Sequence, residues 1–334
     1  MGQALKTVGA GGLCAIALFA GTRVASADAG GVGFWLPGIF GSLSAAPTVP
    51  GWAYASIYLH LQANAGATRK FVTSGGARGS VVTGLKAHAD ALALDITYTS
   101  PMSVLGGQAA FSILTAPGNV GVGIDATLTG PLGNTISGAR TDNRTTLSDV
   151  YYQGTLKWSQ GVNNEMVYIT GNIPSGTYDP SRLANLNLGF VAYDAGAGYT
   201  YFDQKTGHEF SVVGGFTYNL MNPFLQYQNG IDFHVDWAAS QFVSKSVQIG
   251  LAGYLYQQVT GDSGPGAKLG PFTGRAVGIG PQIGFIIPIS KEYQGYLNIK
   301  GYKDIEVENR ANTWSTWVTF AISPAPPEPS RPKS

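Results

Sequence analysis

Apolar and polar residues alternate strictly along most of this chain. Ile231, Phe233, Val235 and Trp237 share one parity, while Asp232, His234 and Asp236 share the other. Such a period of two puts successive side chains on opposite faces of an extended strand, and no half-buried helix has that pattern. In the next segment Val247, Ile249, Leu251 and Leu255 alternate with Gln248, Tyr254, Tyr256 and Gln258. Val150, Tyr152, Leu156 and Trp158 likewise oppose Asp149, Gln153, Thr155, Lys157 and Ser159. Near the two ends, Ala53, Ala55, Ile57, Leu59 and Leu61 oppose Tyr54, Ser56, His60 and Gln62, and Trp314, Val318, Phe320 and Ile322 oppose Thr313, Ser315 and Thr319.

These patterns predict strands near 51–63, 81–98, 106–129, 148–159, 164–172, 187–202, 208–220, 230–241, 246–259, 274–288, 293–305 and 312–323. The count is about twelve, within a range of about 10–14, and an even number brings both ends of a membrane barrel to the periplasm. Long polar loops are expected at 64–80, 130–147, 173–186 and 260–273, alternating with short turns such as Asp203 to Gly207 and Phe242 to Lys245. Ala116-Pro117-Gly118-Asn119 resembles a turn inside 106–129. Splitting there would place the long 130–147 loop on the periplasmic side, so 106–129 is read as one long, broken strand.

In a soluble sandwich the apolar face points inward, and this many strands would need more core than their polar faces leave. Composition supports the other direction. Charged residues make up 12% of the chain, about half the roughly 25% of globular domains. The 47 Gly, 17 Tyr, 15 Phe and 6 Trp suit close strand packing and interfacial rings. The expected fold is all-β, a transmembrane antiparallel β-barrel of the bacterial outer membrane.

Lys6, the apolar run from Val8 to Ala20, and Ala25-Ser26-Ala27 have the form of a signal peptide, 1–27, cleaved before Asp28. The run is too short to span a hydrocarbon core of roughly 30 Å. Cys14 lies in it behind Leu13, which is not a lipoprotein context, and the mature chain then has no cysteine. Disulfides, thiolate metal sites and thiol catalysis are thereby excluded. Removing Lys6 and Arg23 from the 20 basic residues leaves 18 against 19 acidic, so nothing in the charge points to nucleic acid. Residues 28–50 form a Gly/Pro-rich leader carrying Phe34, Trp35 and Phe40, a candidate lumenal plug; 51–323 form the barrel; 324–334 are a Pro-rich periplasmic tail.

Gly261-Asp262-Ser263-Gly264-Pro265 resembles the surroundings of a serine-protease nucleophile. It falls in a loop with no matching His context, and its residues are ordinary turn formers. By parity the lumen is predicted to be lined by Tyr54, Tyr58, His60, Lys86, His88, Asp90, Asp232, His234, Asp236, Tyr254, Tyr256 and Tyr296. These would form opposed charges along a pore or a structural hydrogen-bond network, with rings for apolar cargo. No catalytic set, cofactor site or metal site is predicted.

A longer pattern runs through Ile173-Pro174-Ser175-Gly176-Thr177-Tyr178, Asn185 to Gly189, Tyr199-Thr200-Tyr201, Thr206-Gly207-His208-Glu209 with Ser211, and Asn219 through Asn222-Pro223, Tyr227 and Gly230. It continues through Phe233-His234, Gly253-Tyr254, Gln257 to Gly264 and Gly280-Pro281. Together these resemble the outer-membrane transporter family of the phenol meta-cleavage degradation pathway. Ser175 stands where that family usually has Thr. The resemblance implies passage of small hydrophobic or aromatic molecules, with outer-membrane lipid and the barrel assembly machinery as further partners. Alternatives are a structural or adhesive barrel acting through its outer loops, and a barrel hydrolase.

Overall fold

The computed structural model describes residues 33–72, 76–268, 270–271 and 273–326. The expected signal peptide, the first residues of the leader and the end of the Pro-rich tail lie outside the described residues. The described chain forms β1 (Gly51–Val72), β2 (Arg78–Val104), β3 (Gly107–Thr115), β4 (Pro117–Thr129), β5 (Thr135–Leu147), β6 (Val150–Gln160) and β7 (Asn163–Ile173). It continues with β8 (Ala192–Asp203), β9 (His208–Asn219), β10 (Asp232–Phe242), β11 (Val247–Gln258), β12 (Arg275–Pro288), β13 (Tyr293–Glu308) and β14 (Asn312–Pro324).

Each strand pairs antiparallel with its neighbours, and β1 pairs with both β2 and β14, which closes the sheet. Closure follows from the solvent: in hydrocarbon an unpaired backbone group costs several kcal/mol, so a lipid-exposed sheet edge does not persist. β3 and β4 lie end to end along one edge of β2, where Leu94 pairs Thr115 and Ala91 pairs Gly118. β5 and β6 lie end to end beside them. Each of these two pairs is one barrel strand with a break, so the closed barrel has 12 strands. The break at Ala116 is sealed, because its amide donates to Ser148 Oγ at 2.9 Å and its carbonyl accepts from the Ser148 amide at 2.8 Å. Pro117 beside it has no amide hydrogen to leave unpaired.

Two expected loops are corrected. Residues 64–80 are mostly strand, because β1 and β2 pair without interruption from Gly51–Thr99 to Val72–Arg78. Of 130–147, only 130–134 form the turn, and the rest is β5. Both segments are rich in polar and small residues, with Arg140, Asp142 and Arg144 on one face of β5 and Thr141, Asn143 and Thr145 on the other, and it is pairing with the neighbouring strand that orders them. The strand expected at 187–202 begins later, at Ala192, since Leu188 and Phe190 turn inward as part of a loop.

β14 pairs β1 only as far as Asn64, and β7 pairs β6 only as far as Val150. Beyond those points β1, β2, β4 and β5 rise as a four-stranded extension on the side of the long loops. The loop 174–191 is held against β5. Arg182 pairs with the Asp142 carboxylate, which also accepts the Leu183 and Ala184 amides at 3.1 Å. Arg144 donates to the Thr177 carbonyl and Arg140 to the Ser181 carbonyl, each at 2.8 Å.

Within the barrel the outward residues are apolar and exposed, among them Leu92, Leu94, Ile96, Phe111, Ile169, Phe216, Ile249 and Leu251. Tyr193 and Tyr218 mark the outer end of this belt, and the Trp52–Tyr98 ring pair and Tyr293 the periplasmic end. Such a belt with ring girdles matches a lipid-spanning surface. Leu251→Arg, near mid-strand, is expected to lower barrel stability by about 2–4 kcal/mol, measured by urea unfolding in lipid vesicles. Thr141→Arg, on the outer face of the extension, is expected to change it little.

The Arg182 guanidinium, seconded by the two backbone amides, holds the Asp142 carboxyl down to about 2 against the opposing effect of burial. A lowered carboxyl contributes its stability above the unfolded value, about 3.9, and loses it as pH falls through the folded value. Protease protection of 174–191 is therefore expected to be constant from neutral pH to about 4 and lost toward 2. Arg182→Ala is expected to abolish it at neutral pH.

Candidate functional site: the occupied lumen

Inner positions on β7 to β11 alternate with the lipid face and are sealed. Asp194, Thr200, Glu209, Thr217, Asp232, His234, Asp236, Tyr254 and Tyr256 are each no more than 4% exposed. They are covered by one another and by residues 33–50, which run down the lumen before β1 begins. Phe34 packs with Leu188, Phe190 and Ala192, beside Leu225 and Tyr227 of an outer loop. Thr48, at the other end, contacts Gln108 and Thr99 close to the β2–β3 turn.

This segment has no strand partner, so side chains of the wall satisfy its backbone. Asp236 accepts the Gly38 amide at 3.0 Å and the Phe40 amide at 3.1 Å, one on each oxygen. Lys300 Nζ donates to the Gly38 carbonyl at 2.5 Å. Glu209 accepts from Ser42 Oγ at 2.8 Å and from the Leu43 amide at 3.0 Å, and Ser211 Oγ shares that amide. Lower down, the Ala45 amide donates to Thr200 Oγ1 at 3.0 Å, and Lys157 Nζ donates to the Ala46 carbonyl at 3.1 Å. Gln108 both accepts from and donates to Thr48, at 2.8 and 2.6 Å. Gly38 has φ +91°, and a Cβ there would lie 2.5 Å from the Tyr302 ring. Only glycine meets both conditions without displacing a neighbour.

Trp35 stacks on His234 with ring centroids 3.6 Å apart and planes 11° from parallel. His234 Nε2 is 2.7 Å from Asp194 Oδ2, and both side chains are wholly buried. Thr217 Oγ1 donates to the same oxygen at 2.6 Å. Tyr256 Oη and Asn219 Nδ2 donate to Asp232 at 2.6 and 2.9 Å, and Tyr254 donates to Asp304. Around Trp35, one apolar cluster gathers Leu59, Tyr254, Tyr256, Tyr302 and Trp317, with Ile57, Leu61 and Phe40 against it.

Of the twelve residues assigned to the lumen from parity, Asp232, His234, Asp236, Tyr254, Tyr256 and Tyr296 lie on inner faces. Tyr54, Tyr58, His60, Lys86, His88 and Asp90 do not. Ladder register sets Leu59 opposite Trp317 on the inside, so Tyr58 and His60 point outward with their partners Leu92 and Asp90. Tyr54 and Tyr58 are 54% and 41% exposed, and Asp90 accepts from Tyr58 Oη and bonds His60 Nδ1, both at 2.7 Å, on the outer face. Parity is inverted here because the inner face of β1 packs on the Trp35 cluster and is itself apolar. Parity should have found Glu209, Thr200 and Lys300, which share the polar phase of their strands. Nothing local marks them as tethers, since their partners lie over 150 residues away.

The protease-like motif has a structural use. Asp262 accepts from Tyr227 Oη, Gln258 Nε2 and the Gly230 amide, and Ser263 pairs through its backbone with Gln228, which ties two outer loops together. Among the described residues no group of three or more His, Cys, Asp or Glu is arranged to hold a metal.

Asp236→Ala would leave the Gly38 and Phe40 amides without their acceptor, at about 1–3 kcal/mol for each unsatisfied group. The expected outcome is a loosened segment: higher and noisier ion conductance in planar bilayers, with the heat-modifiable gel shift of the folded barrel retained.

No curated protein matches the chain. Among solved structures, an outer membrane channel from Pseudomonas putida F1 superposes with a TM-score of 0.61 at 11% identity, covering 86% of this chain and all of that one. A FadL homologue from Pseudomonas aeruginosa superposes more loosely, with a TM-score of 0.38 at 6% identity over 81% of this chain and 89% of the other. Residues 68–320 match the family described as "Putative MetA-pathway of phenol degradation". With its closed barrel and lipid-facing belt, the chain is an outer-membrane β-barrel, and it belongs to that family.

Proposed function

We propose that this barrel is a selective channel for small hydrophobic compounds, aromatic ones among them, and that residues 33–50 act as its lumenal plug. The observation that carries the reading is the tethered segment inside a closed wall. A barrel of 12 strands has a narrow interior even when empty, unlike the open channels of porins with about 16–18 strands. Filled as it is, the lumen favours solutes that need no hydration shell. The rings of Trp35, Tyr254, Tyr256, Tyr302 and Trp317 close into a buried apolar cluster that leaves a polar solute nothing to bond at this level. The family supports the same direction through its description. No residue is assigned a catalytic role in this reading.

Cells carrying the protein are expected to accumulate radiolabelled naphthalene or toluene faster than cells lacking it, with no difference for a sugar of similar size. Equal uptake across a panel of apolar compounds would overturn the proposal and favour a structural or adhesive barrel.

A further inference from the structure

We propose that apolar cargo travels along one strip of the wall, the alanine-rich inner face of β1 and β2, between that face and the tethered segment. This rests on the transport reading and adds its route. Across the β1–β2 ladder, Ile57 faces Ala93, Leu61 faces Ala89 and Ala63 faces Ala87, all on the inner side. These side chains have no hydrogen-bonding group, so a polar solute passing them would lose its hydration without return.

Free surface lies along the same strip. Ile57, Leu61, Ala87, Ala89 and Ala93 are half-buried, and the contact with the Trp35 cluster closes over Leu59 and Ala91 between them, each 8% exposed. On the opposite wall the equivalent inner positions Val213 and Ala238 are 1% and 0% exposed. The tethers of residues 38–46 account for the asymmetry, because they run to β6, β8, β9, β10 and β13 and draw the segment toward that side.

The two ends of the strip have different surroundings. Toward the outside it continues onto the extension, where polarity inverts along single strands. On β2, Leu92, Leu94 and Ile96 face outward within the lipid belt, whereas beyond Asp90 the outward residues are His88 and Lys86, and Leu85 and Val81 face inward. A sheet that turns its polar face to water and its apolar face to the lumen axis presents a landing surface for an apolar solute. At the periplasmic end the strip gives way to the inward Asp95 and Thr97, and beyond them a cavity of about 260 Å³ lies between Pro47 and Pro50 of the segment and Ser100, Ser103, Gln108 and Lys157 of the wall. This cleft is open to its surroundings and has the size of a small molecule, not of a polypeptide.

The full chain in the outer membrane provides the test, with naphthalene as probe. Ala89→Trp fills the strip and is expected to cut naphthalene uptake severalfold while the folded-barrel gel shift is kept. Because a bulky substitution can also disturb folding, Ala89→Cys gives an independent measurement: the chain's one cysteine is Cys14, ahead of the barrel. A small maleimide is expected to label Ala89→Cys readily and Ala238→Cys hardly at all, and naphthalene to slow the first reaction severalfold. Wild-type uptake that Ala89→Trp leaves unchanged, or labelling of Ala89→Cys that naphthalene does not slow, would overturn the strip while leaving transport intact. Absence of uptake by the wild type would instead overturn the transport reading.

Discussion

Backbone amides and carbonyls at membrane depth must find hydrogen-bond partners inside the protein. The wall meets this demand by closing β1 onto β14, so every ladder edge within the lipid is paired. Residues 33–50 meet it differently. They cross the same depth as irregular chain, and their amides are satisfied by carboxylates and hydroxyls that the wall projects inward, above all Asp236 and Glu209. An irregular segment is tolerated there only because the lumen was supplied with acceptors at its level.

That demand explains the unequal composition of the two sides of the lumen. β8 to β10 carry Asp194, Thr200, Glu209, Ser211, Thr217, Asp232 and Asp236 inward, each buried and each with a partner. A buried carboxylate without such partners would cost several kcal/mol. β1 and β2 have few acceptors to place, so their inner face is free to be small and apolar. The wall also makes room where the contents are bulky: a Cβ on Gly215 would lie 2.1 Å from Tyr168 Oη, and one on Gly278 would lie 2.3 Å from the Tyr254 ring.

Much of this was legible in the chain. Alternation at 231–237 and 247–258 gave strand, face and polarity together, because there lipid lies on one side and polar wall on the other. The long broken strand at 106–129 also corresponds to β3 and β4 in line, since β2 is long enough to pair with both. Parity misled wherever one of its two assumptions lapsed. At 53–62 the inside is apolar, so an apolar phase no longer signals lipid. At 64–90 and 130–147 the outside is water, so a polar phase no longer signals lumen. Parity finds two faces but does not say what each face meets, and that depends on contacts with Trp35 and on heights in the membrane that pairing register alone reveals.

A filled barrel and a passage for solutes are compatible only if the filling is asymmetric. At about 1 kcal/mol net for each neutral hydrogen bond, and more for those to charged groups, the tethers from Asp236, Glu209, Ser211, Thr200 and Lys300 together exceed thermal energy many times over. Release of the whole segment is therefore a rare event, and a solute that waited for it would cross slowly. Sliding beside the segment breaks none of those bonds. It asks only that small side chains such as Ala89 and Ala93 leave space and that the solute bring no group needing water. On the proposed route, selectivity for apolar molecules would be set less by a binding pocket than by the side of the lumen from which the tethers draw the segment away.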